Sequence, residues 1–543
     1  MSTSGIERRK DNRIKFNLEV STKGTTTGYL ESFDISPFGM FLKTSNPLPL
    51  DSKLFISFTL PESPIPMKAY GRVAWINSKI ADDDQPDGMG IHFLNISAFD
   101  RKRLEKFLDS QDLEIKINSD EHTLLDFSHA SEESFEVRSK ELYAYINDMK
   151  EKGYYTYRRP IASATDNRVL VRDDNTGEES EMIMMGSNSY LGLSSHPKVI
   201  EAVNLATKKY GVGAASAPML AGTFELHREL ELKIAKLKSC EDAIVFPSGY
   251  ATNVGTISCL LKKKDIALID RLCHASIIDG CLLGNTTFRT FKHSDLNDLE
   301  RLLLVTKGKY EQTYIMIEGI YSMDGDIVPL PDIVKLAKKF KAKIMIDDAH
   351  ATGVIGDLGK GTTNHFNLEG EIDIVMGTMS KAIGQLGGFI ASSKEVVNYL
   401  RHYARSYFFA TSLPPIVIAS SLASIEVMLS EPELIEKLWD NIRYFKKKVV
   451  TLGFNVIENS DSAIVPIIIG DESILKPMSR RIHEEGIYLN PVPYPAVPKE
   501  QTRFRATIMA THTKEDLDET LKVLDKVGKE FGIIGNNIKQ INN

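Results

Sequence analysis

The chain has 543 residues, 42% of them hydrophobic and 26% charged, which is an ordinary balance for a globular protein of several domains. Its formal net charge of −7 argues against a general nucleic-acid-binding function. The cysteines Cys240, Cys259, Cys273 and Cys281 lack the spacing of a disulfide frame or metal site, and no apolar run approaches membrane-spanning length.

The polar, basic opening carries no signal-peptide pattern, which with the unpaired thiols points to a cytoplasmic protein. Residues 1–115 read as a small β-barrel or sandwich. Short β-rich runs at Ile14–Val20, Thr26–Ser32, Met40–Thr44, Leu54–Leu60, Lys68–Ile76 and Met89–Asn95 are divided by Gly, Pro, Asn and Asp clusters. Arg8, Arg9 and Arg13 come around the start of the first run, and Asp34, Ser36 and Gly39 occupy a turn between the second and third. Taken alone, these residues fit either a solvated basic arm with a turn or an anion site. Arginines clamp phosphates bidentately and stack on bases.

This segment resembles the PilZ domain, the bacterial receptor module for cyclic di-GMP. Arg9 and Arg13 match its R-x-x-x-R pattern with Arg8 as a neighbour, and Asp34, Ser36 and Gly39 match D-x-S-x-x-G. Gly88–Phe93 resembles its closing strand. The resemblance implies cyclic di-GMP binding by Arg8, Arg9, Arg13, Asp34, Ser36 and Gly39.

Ala98–Leu108 patterns as a helix closing the first domain. The polar stretch that follows is read as a linker at 116–134, too poor in apolar residues for a core of its own. The second domain spans 135–543 and begins with a helical pattern over Phe135–Lys152. Helices at Pro197–Tyr210, Phe224–Leu237, Tyr250–Leu260 and Ile333–Phe340 then mix with strands at Ala243–Phe246, Tyr314–Glu318 and Lys343–Asp347. Such alternation predicts an α/β fold with a mainly parallel central sheet. The large part runs from about 180 to 415. A smaller C-terminal α/β lobe follows at about 416–535, with strands near Phe454–Ile457, Ala463–Ile469 and Arg503–Thr507.

Two stretches carry the chemistry. Met376–Gly388 follows an apolar run and places Lys381 among small residues and glycines. A lysine held in a dry pocket can lose its proton and become a nucleophile. Ala342–Gly353 is a short apolar strand ending in Asp347, Asp348 and His350, where open α/β sheets bind ligands. A lysine for a Schiff base and a carboxylate for a ring nitrogen are what pyridoxal 5′-phosphate requires. Ser248, Gly249 and Tyr250 lie between a strand and a helix start, whose N–H groups suit a phosphate.

This half resembles the α-oxoamine synthases, a branch of the fold-type-I pyridoxal phosphate enzymes that includes serine palmitoyltransferase, 8-amino-7-oxononanoate synthase and glycine C-acetyltransferase. The branch joins an amino acid to an acyl thioester. Asn188 falls in the family's N-x-Y-L-G-L, where it helps hold the substrate carboxylate, and His274 matches the histidine that stacks on the cofactor ring. Ser322, in Glu318–Asp326, matches the serine near the ring hydroxyl. By the same match Asp347 takes the pyridine nitrogen, His350 the ring oxygen and Thr378 the phosphate, while Asp348 is a neighbour. Thr411, in Ala410–Pro415, belongs to a segment that reaches the partner subunit's phosphate site, which implies a homodimer. Counting back from His512, Arg505 falls on the carboxylate-binding arginine, with Arg503 in reserve. Pro218 replaces an arginine of several members, and Pro498–Gln501 lacks a common glycine. Tyr154–Pro160 resembles the serine palmitoyltransferase type more than the glycine C-acetyltransferase type.

The resemblance implies decarboxylative condensation of glycine, serine or alanine with an acyl-CoA or acyl-carrier thioester, giving a 2-amino ketone. No metal is expected. Cyclic di-GMP is expected to regulate the reaction. The alternatives are another fold-type-I reaction such as aminotransfer, or a cyclic di-GMP receptor whose second half is a non-catalytic scaffold.

Overall fold

The computed structural model describes residues 14–15, 18–23, 28–60, 65–77, 86–110, 117–128, 134–173 and 177–535. The chain divides into two compact units, 1–116 and 117–543. No single helix among the described residues is long and apolar enough to cross a membrane.

In the first unit the strands are β1 (Ile14–Lys15), β2 (Glu19–Lys23), β3 (Gly28–Ser36), β4 (Gly39–Lys43), β5 (Lys53–Phe58), β6 (Met67–Asn77) and β7 (Gly88–Ile96). They pair antiparallel in the order β1-β3-β2-β5-β6-β7-β4, and a further β3–β4 pairing closes β2–β7 into a six-stranded barrel. Alternate side chains point inward, as the period of a strand requires. Val20, Ile35, Met40, Leu42, Ile56, Val73 and Ile91 fill the interior, and Leu104 of α1 (Ala98–Ser110) joins them. The expected Asp34–Gly39 turn is shorter than its composition suggests. Ile35 pairs with Met40 and Ser36 with Gly39, so only Pro37 and Phe38 turn. Barrel closure pulls Asp34 and Ser36 into the ladder, overriding their turn preference.

Residues 117–128, inside the stretch read as a linker, instead pack on the second unit. The Ser119 N–H donates to Asp148 Oδ2 at 2.7 Å, and Lys476 Nζ donates to the Ser119 carbonyl at 2.9 Å. Phe127 is buried against Tyr145, with ring centroids 5.2 Å apart. The stretch lacks its own core and borrows one.

The second unit opens with α2 (Phe135–Glu151), the hairpin β8 (Arg168–Arg172) and β9 (Glu179–Met184), and the helices α3 (Pro197–Tyr210) and α4 (Glu225–Leu237). Next come β10 (Asp242–Phe246), α5 (Gly249–Leu260), β11 (Ile266–Asp270), α6 (Ala275–Leu283), β12 (Thr287–Phe291) and α7 (Leu296–Thr306). They are followed by β13 (Thr313–Glu318), α8 (Leu330–Phe340), β14 (Lys343–Asp347), α9 (Thr362–His365), β15 (Ile374–Thr378), β16 (Gly388–Ser392) and α10 (Lys394–Tyr403). The large sheet has the order β10-β16-β15-β14-β13-β11-β12 and is parallel except for β16, which runs against both neighbours. Its inner strands are apolar on both faces, as a sheet covered by helices on each side demands. Ile315, Ile317, Ile344, Ile346 and Val375 join one core, and the alternating Met316, Met345, Ile374 and Met376 join the other.

The C-terminal lobe follows α11 (Arg405–Phe408), α12 (Pro415–Ser430) and α13 (Glu433–Thr451). It contains β17 (Asn455–Val456), β18 (Ile464–Ile468), α14 (Glu472–Glu484), β19 (Ile487–Tyr488), β20 (Asn490–Val492), β21 (Arg503–Thr507) and α15 (Lys514–Glu530). An antiparallel sheet β17-β18-β21-β20 forms the lobe, while β19 joins β9 and β8 in a separate three-stranded sheet. Asn490 on β20 pairs with Arg505 on β21. That register carries Arg505 toward the large sheet.

Candidate active site

The carboxyl ends of β13, β14 and β15 deliver Glu318, Asp347 and Thr378 to one cavity of about 260 Å³. Lys381, from the loop after β15, also lines it, as do Ser248, Gly249, Tyr250, His274, Ser322 and His350. Ligands of open α/β sheets bind at this edge. The lysine loop is shaped locally. The Met379 N–H donates to the Gly387 carbonyl at 2.9 Å, and Gly387 adopts φ +125°, which an L side chain avoids. A Cβ on Gly353 would lie 2.4 Å from Ala382 Cβ, so the turn segment after β14 and the lysine loop meet at glycine.

Asp347 is buried at the end of β14 and is held on both oxygens. Asn253 Nδ2 donates to Oδ2 at 2.8 Å and the Ala349 N–H to Oδ1 at 3.0 Å. Asn253 also donates to Ser276 Oγ at 2.9 Å, and Ser276 Oγ lies 2.8 Å from His274 Nδ1. One polar chain thus joins His274 to Asp347 through two residues that sequence reasoning did not single out. The available signal was helical spacing, since Asn253 stands four positions after Gly249 on the same helix face. Ser276 N–H also approaches His274 Nδ1 at 3.3 Å, which places the ring proton on Nε2.

His350 Nδ1 is 2.6 Å from the Tyr190 hydroxyl, and both side chains are buried. Burial pushes His350 well below the ordinary imidazole range, with help from Lys381 and Arg505, so the ring is neutral. Burial raises the Tyr190 phenol to about 12, which keeps its proton available for Nδ1 and leaves His350 Nε2 as the donor.

Arg505 and Asn188 meet. Arg505 Nη1 donates to Asn188 Oδ1 at 3.0 Å, and Nε donates to the Ser322 carbonyl at 2.7 Å. Arg503, two positions earlier on β21, lies on the same strand face but is spent elsewhere. Its guanidinium binds Asp324 at 2.6 Å, the Met323 carbonyl and both oxygens of Gln501.

Glu318 accepts from the His274 N–H at 2.5 Å and the Ser322 N–H at 3.3 Å, tying two site loops to β13. Burial pushes its carboxyl up, and the Asp347 charge adds to that. Burial pushes the Lys381 ammonium down despite the opposing pull of Asp347 and Glu318. At the other helix start, Ser248 caps α5 by accepting from the Ala251 N–H at 3.1 Å. The first N–H groups of the helix are left without intrahelical acceptors. Thr378 Oγ1 donates to the Gly387 carbonyl at 2.9 Å, and a Cβ on Gly249 would approach Thr378 Oγ1 to 3.1 Å. Tyr250 is half exposed, its hydroxyl donating to Asp279 at 2.8 Å.

Asp348 is a structural group, as its neighbour status implies. It is fully buried with Lys238 at 2.6 Å and also accepts from Thr362 Oγ1 at 2.6 Å. Thr411 is exposed and lies outside the cavity lining. In the barrel, Ser36 Oγ accepts from the Phe38 N–H at 3.3 Å, and Asp34 is buried beside the β-bulge at Phe33. A Cβ on Gly39 would meet the Ile91 carbonyl at 2.2 Å, so the pattern's glycine is a packing requirement. Arg8, Arg9 and Arg13 lie outside the described residues.

A lysine, a buried carboxylate on the same sheet edge and a glycine-opened helix start define a fold-type-I pyridoxal phosphate enzyme. The residues fit that cofactor: the amine and carboxylate are present together, and Asn253 Oδ1 is buried without a partner beside them.

A model of the aminotransferase class I and II family matches residues 180–524, and one of the PilZ domain matches residues 7–110. An 8-amino-7-oxononanoate synthase from Thermoanaerobacter pseudethanolicus is 43% identical over 389 residues, 72% of this chain and 97% of that protein. The 4-hydroxy-2,2′-bipyrrole-5-methanol synthase PigH of a Serratia species is 42% identical over 76% of this chain and 63% of its own. Among solved structures, a serine palmitoyltransferase variant from S. paucimobilis with a bound pyridoxal phosphate–myriocin aldimine superposes with TM-score 0.70 at 32% identity, covering 74% of this chain and 100% of that one. The chain belongs to the aminotransferase class I and II family, in its pyridoxal phosphate-dependent acyltransferase branch, with a PilZ domain at its N-terminal end.

Proposed function

We propose that the protein condenses a small amino acid, glycine, serine or alanine, with an acyl thioester, losing carbon dioxide and releasing a 2-amino ketone, and that cyclic di-GMP regulates this reaction through the barrel. The observation that carries the reading is the cleft itself, where Lys381 and Asp347 share a cavity with Ser322, whose carbonyl Arg505 holds beside Asn188.

Pyridoxal phosphate, when bound, supplies an aldehyde for an amine and a ring that draws electrons from the amino acid's α-carbon. Asp347, fixed by Asn253, holds a proton at the ring nitrogen. His350 Nε2 would donate to the ring oxygen, with Ser322 lining the same cavity. Thr378 and the N–H groups opening α5 take the phosphate. Lys381, with its pKa lowered by burial, is the amine that would hold the cofactor and the base placed to take the α-proton. Arg505 and Asn188 orient the substrate carboxylate, for which a guanidinium is well shaped. His274, with its proton on Nε2, is placed to donate to the oxygen that gains charge as the thioester is attacked.

The active form is a homodimer in which Thr411 completes the partner's phosphate site. Leu220, Leu283 and Phe409 are exposed apolar side chains of this unit that such an interface would cover. Cyclic di-GMP binds Arg8, Arg9, Arg13, Asp34, Ser36 and Gly39, and it alters the rate only to the extent that it prefers one arrangement of the protein.

Purified protein incubated with a panel of amino acids and acyl thioesters should release free thiol and carbon dioxide, with a 2-amino ketone identified by mass. Amino-group transfer without thiol release would replace this reading with aminotransfer. Cyclic di-GMP should bind the intact protein by calorimetry and change the rate; absence of binding would remove the receptor role.

A further inference from the structure

Of the acidic and basic side chains lining the Lys381 cavity, Glu318 is the one with no part in the proposed chemistry. It ends β13 after the buried Ile315, Met316 and Ile317, in register with Asp347 on β14. Both carboxyls are buried, which is costly unless their oxygens find donors. Glu318 Oε1 accepts from the His274 N–H at 2.5 Å and Oε2 from the Ser322 N–H at 3.3 Å, so a different loop occupies each oxygen.

Neither loop needs that carboxyl for its own shape. Before His274, the Leu272 N–H donates to Asp270 Oδ1 at 2.9 Å and the Cys273 N–H to the Asp270 carbonyl at 3.0 Å. Around Ser322, the Tyr321 N–H donates to the Asp326 carbonyl at 3.1 Å and the Gly325 N–H to the Tyr321 carbonyl at 2.8 Å. Each turn closes on itself, and what Glu318 adds is the spacing between them. Each loop also leads to a group that meets a substrate. His274 is placed at the oxygen of the thioester. The Ser322 carbonyl accepts from Arg505 Nε at 2.7 Å, and Arg505 Nη1 donates to Asn188 Oδ1 at 3.0 Å, where the amino-acid carboxylate would be held. One side chain therefore stands between the contacts of the two reactants, and a misplacement of about 1 Å between reactants can cost roughly 10²-fold in rate.

We propose that Glu318 is a positioning residue for the condensation: its two oxygens set His274 and the Ser322–Arg505 arm at the separation at which the bound amino acid meets the thioester. The proposal rests on the condensation reading and adds to it a residue that acts on both substrates through other groups.

The test compares full-length wild type with Glu318→Gln and Glu318→Asp. Glutamine keeps the length but offers one acceptor oxygen where two N–H groups point. Aspartate keeps the carboxyl but falls one methylene short, and it serves if the glutamine variant does not fold. In the apoenzyme, amide hydrogen exchange should speed up in both peptides, the one carrying His274 and the one carrying Ser322. In the holoenzyme without thioester, glycine, serine and alanine binding, followed by the cofactor's visible absorption, should weaken roughly tenfold, the scale of one lost hydrogen bond. The kcat for condensation should fall by roughly 10²-fold. In a His274→Asn background the same substitution should lower kcat far less, because the group it positions is gone, while the weaker amino-acid binding persists. Unchanged exchange in either peptide, full activity in Glu318→Asp, or a loss of kcat that simply adds to that of His274→Asn would overturn the proposal. Faster exchange in both peptides with weaker amino-acid binding, in a protein that condenses no thioester, would uphold Glu318 as the link between the two loops and remove the condensation reading alone.

Discussion

The two units assemble their candidate site residues in opposite ways. In the barrel, Asp34, Ser36 and Gly39 come from a single hairpin, so a few consecutive residues and one turn place them all. In the transferase unit, Asn188, Asn253, His274, Glu318, Asp347, Lys381 and Arg505 come from separate elements, and Arg505 meets Asn188 across 317 positions of chain. The placement of Asp34, Ser36 and Gly39 needs only that hairpin in register. A convergent site exists only when the whole sheet and the C-terminal lobe are in register, so it tolerates less error and concentrates more buried charge.

That contrast is sharpest at Lys381. Lys381→Ala should cut condensation by roughly 10²–10⁴-fold, the scale of a missing proton-transfer group. Borohydride reduction of wild type followed by peptide mapping should put the cofactor mass on the Lys381 peptide; a different lysine would unseat the assignment. Lys238→Met should leave Asp348 buried and unpaired, costing about 3–5 kcal/mol of stability in denaturant titrations. A change below about 1 kcal/mol would mean that the carboxylate finds another partner.

Arg505→Lys keeps the charge but loses the planar fork, and should weaken amino-acid binding by about 1.5–3 kcal/mol, read as KM. Arg503→Lys should instead lower stability and leave that KM nearly unchanged, because its partners are Asp324 and Gln501. In the barrel, Arg9→Ala or Arg13→Ala should cost about the same 1.5–3 kcal/mol in cyclic di-GMP affinity, without altering the unfolding midpoint of the second unit. A shift of both would break the contrast between local and convergent sites.

A further effect expected is a pH dependence at His293. Burial opposes its charge, but its hydrogen bonds with Asp270 at 3.1 Å and Asp326 at 3.0 Å raise it from 6.5 to about 10. A folded value above the unfolded one stabilises fully below about pH 6.5, and that stabilisation disappears as pH rises toward 10. Unfolding free energy should therefore fall over that window, and the fall should be shallower in His293→Gln. Equal slopes would show that the histidine carries no net proton linkage.

The sequence alone determined the barrel's alternation, the buried strands Lys343–Asp347 and Arg503–Thr507, and the local strings around Lys381, His274 and Asp347, because each depends on near neighbours in the chain. It could not show that Asn253 and Ser276 link His274 to Asp347, or that Arg505 rather than Arg503 faces Asn188. Two arginines on one strand face have the same periodicity; the family match favoured Arg505, and the partners brought by other elements show where each one goes. The polar segment at 117–128 makes the same point from the other side: composition showed that it has no core of its own, and only the fold decided that Tyr145 and Lys476 would supply one. Local pattern is written in neighbouring residues, whereas the pairing of distant polar groups is settled by which buried atoms would otherwise lack a partner.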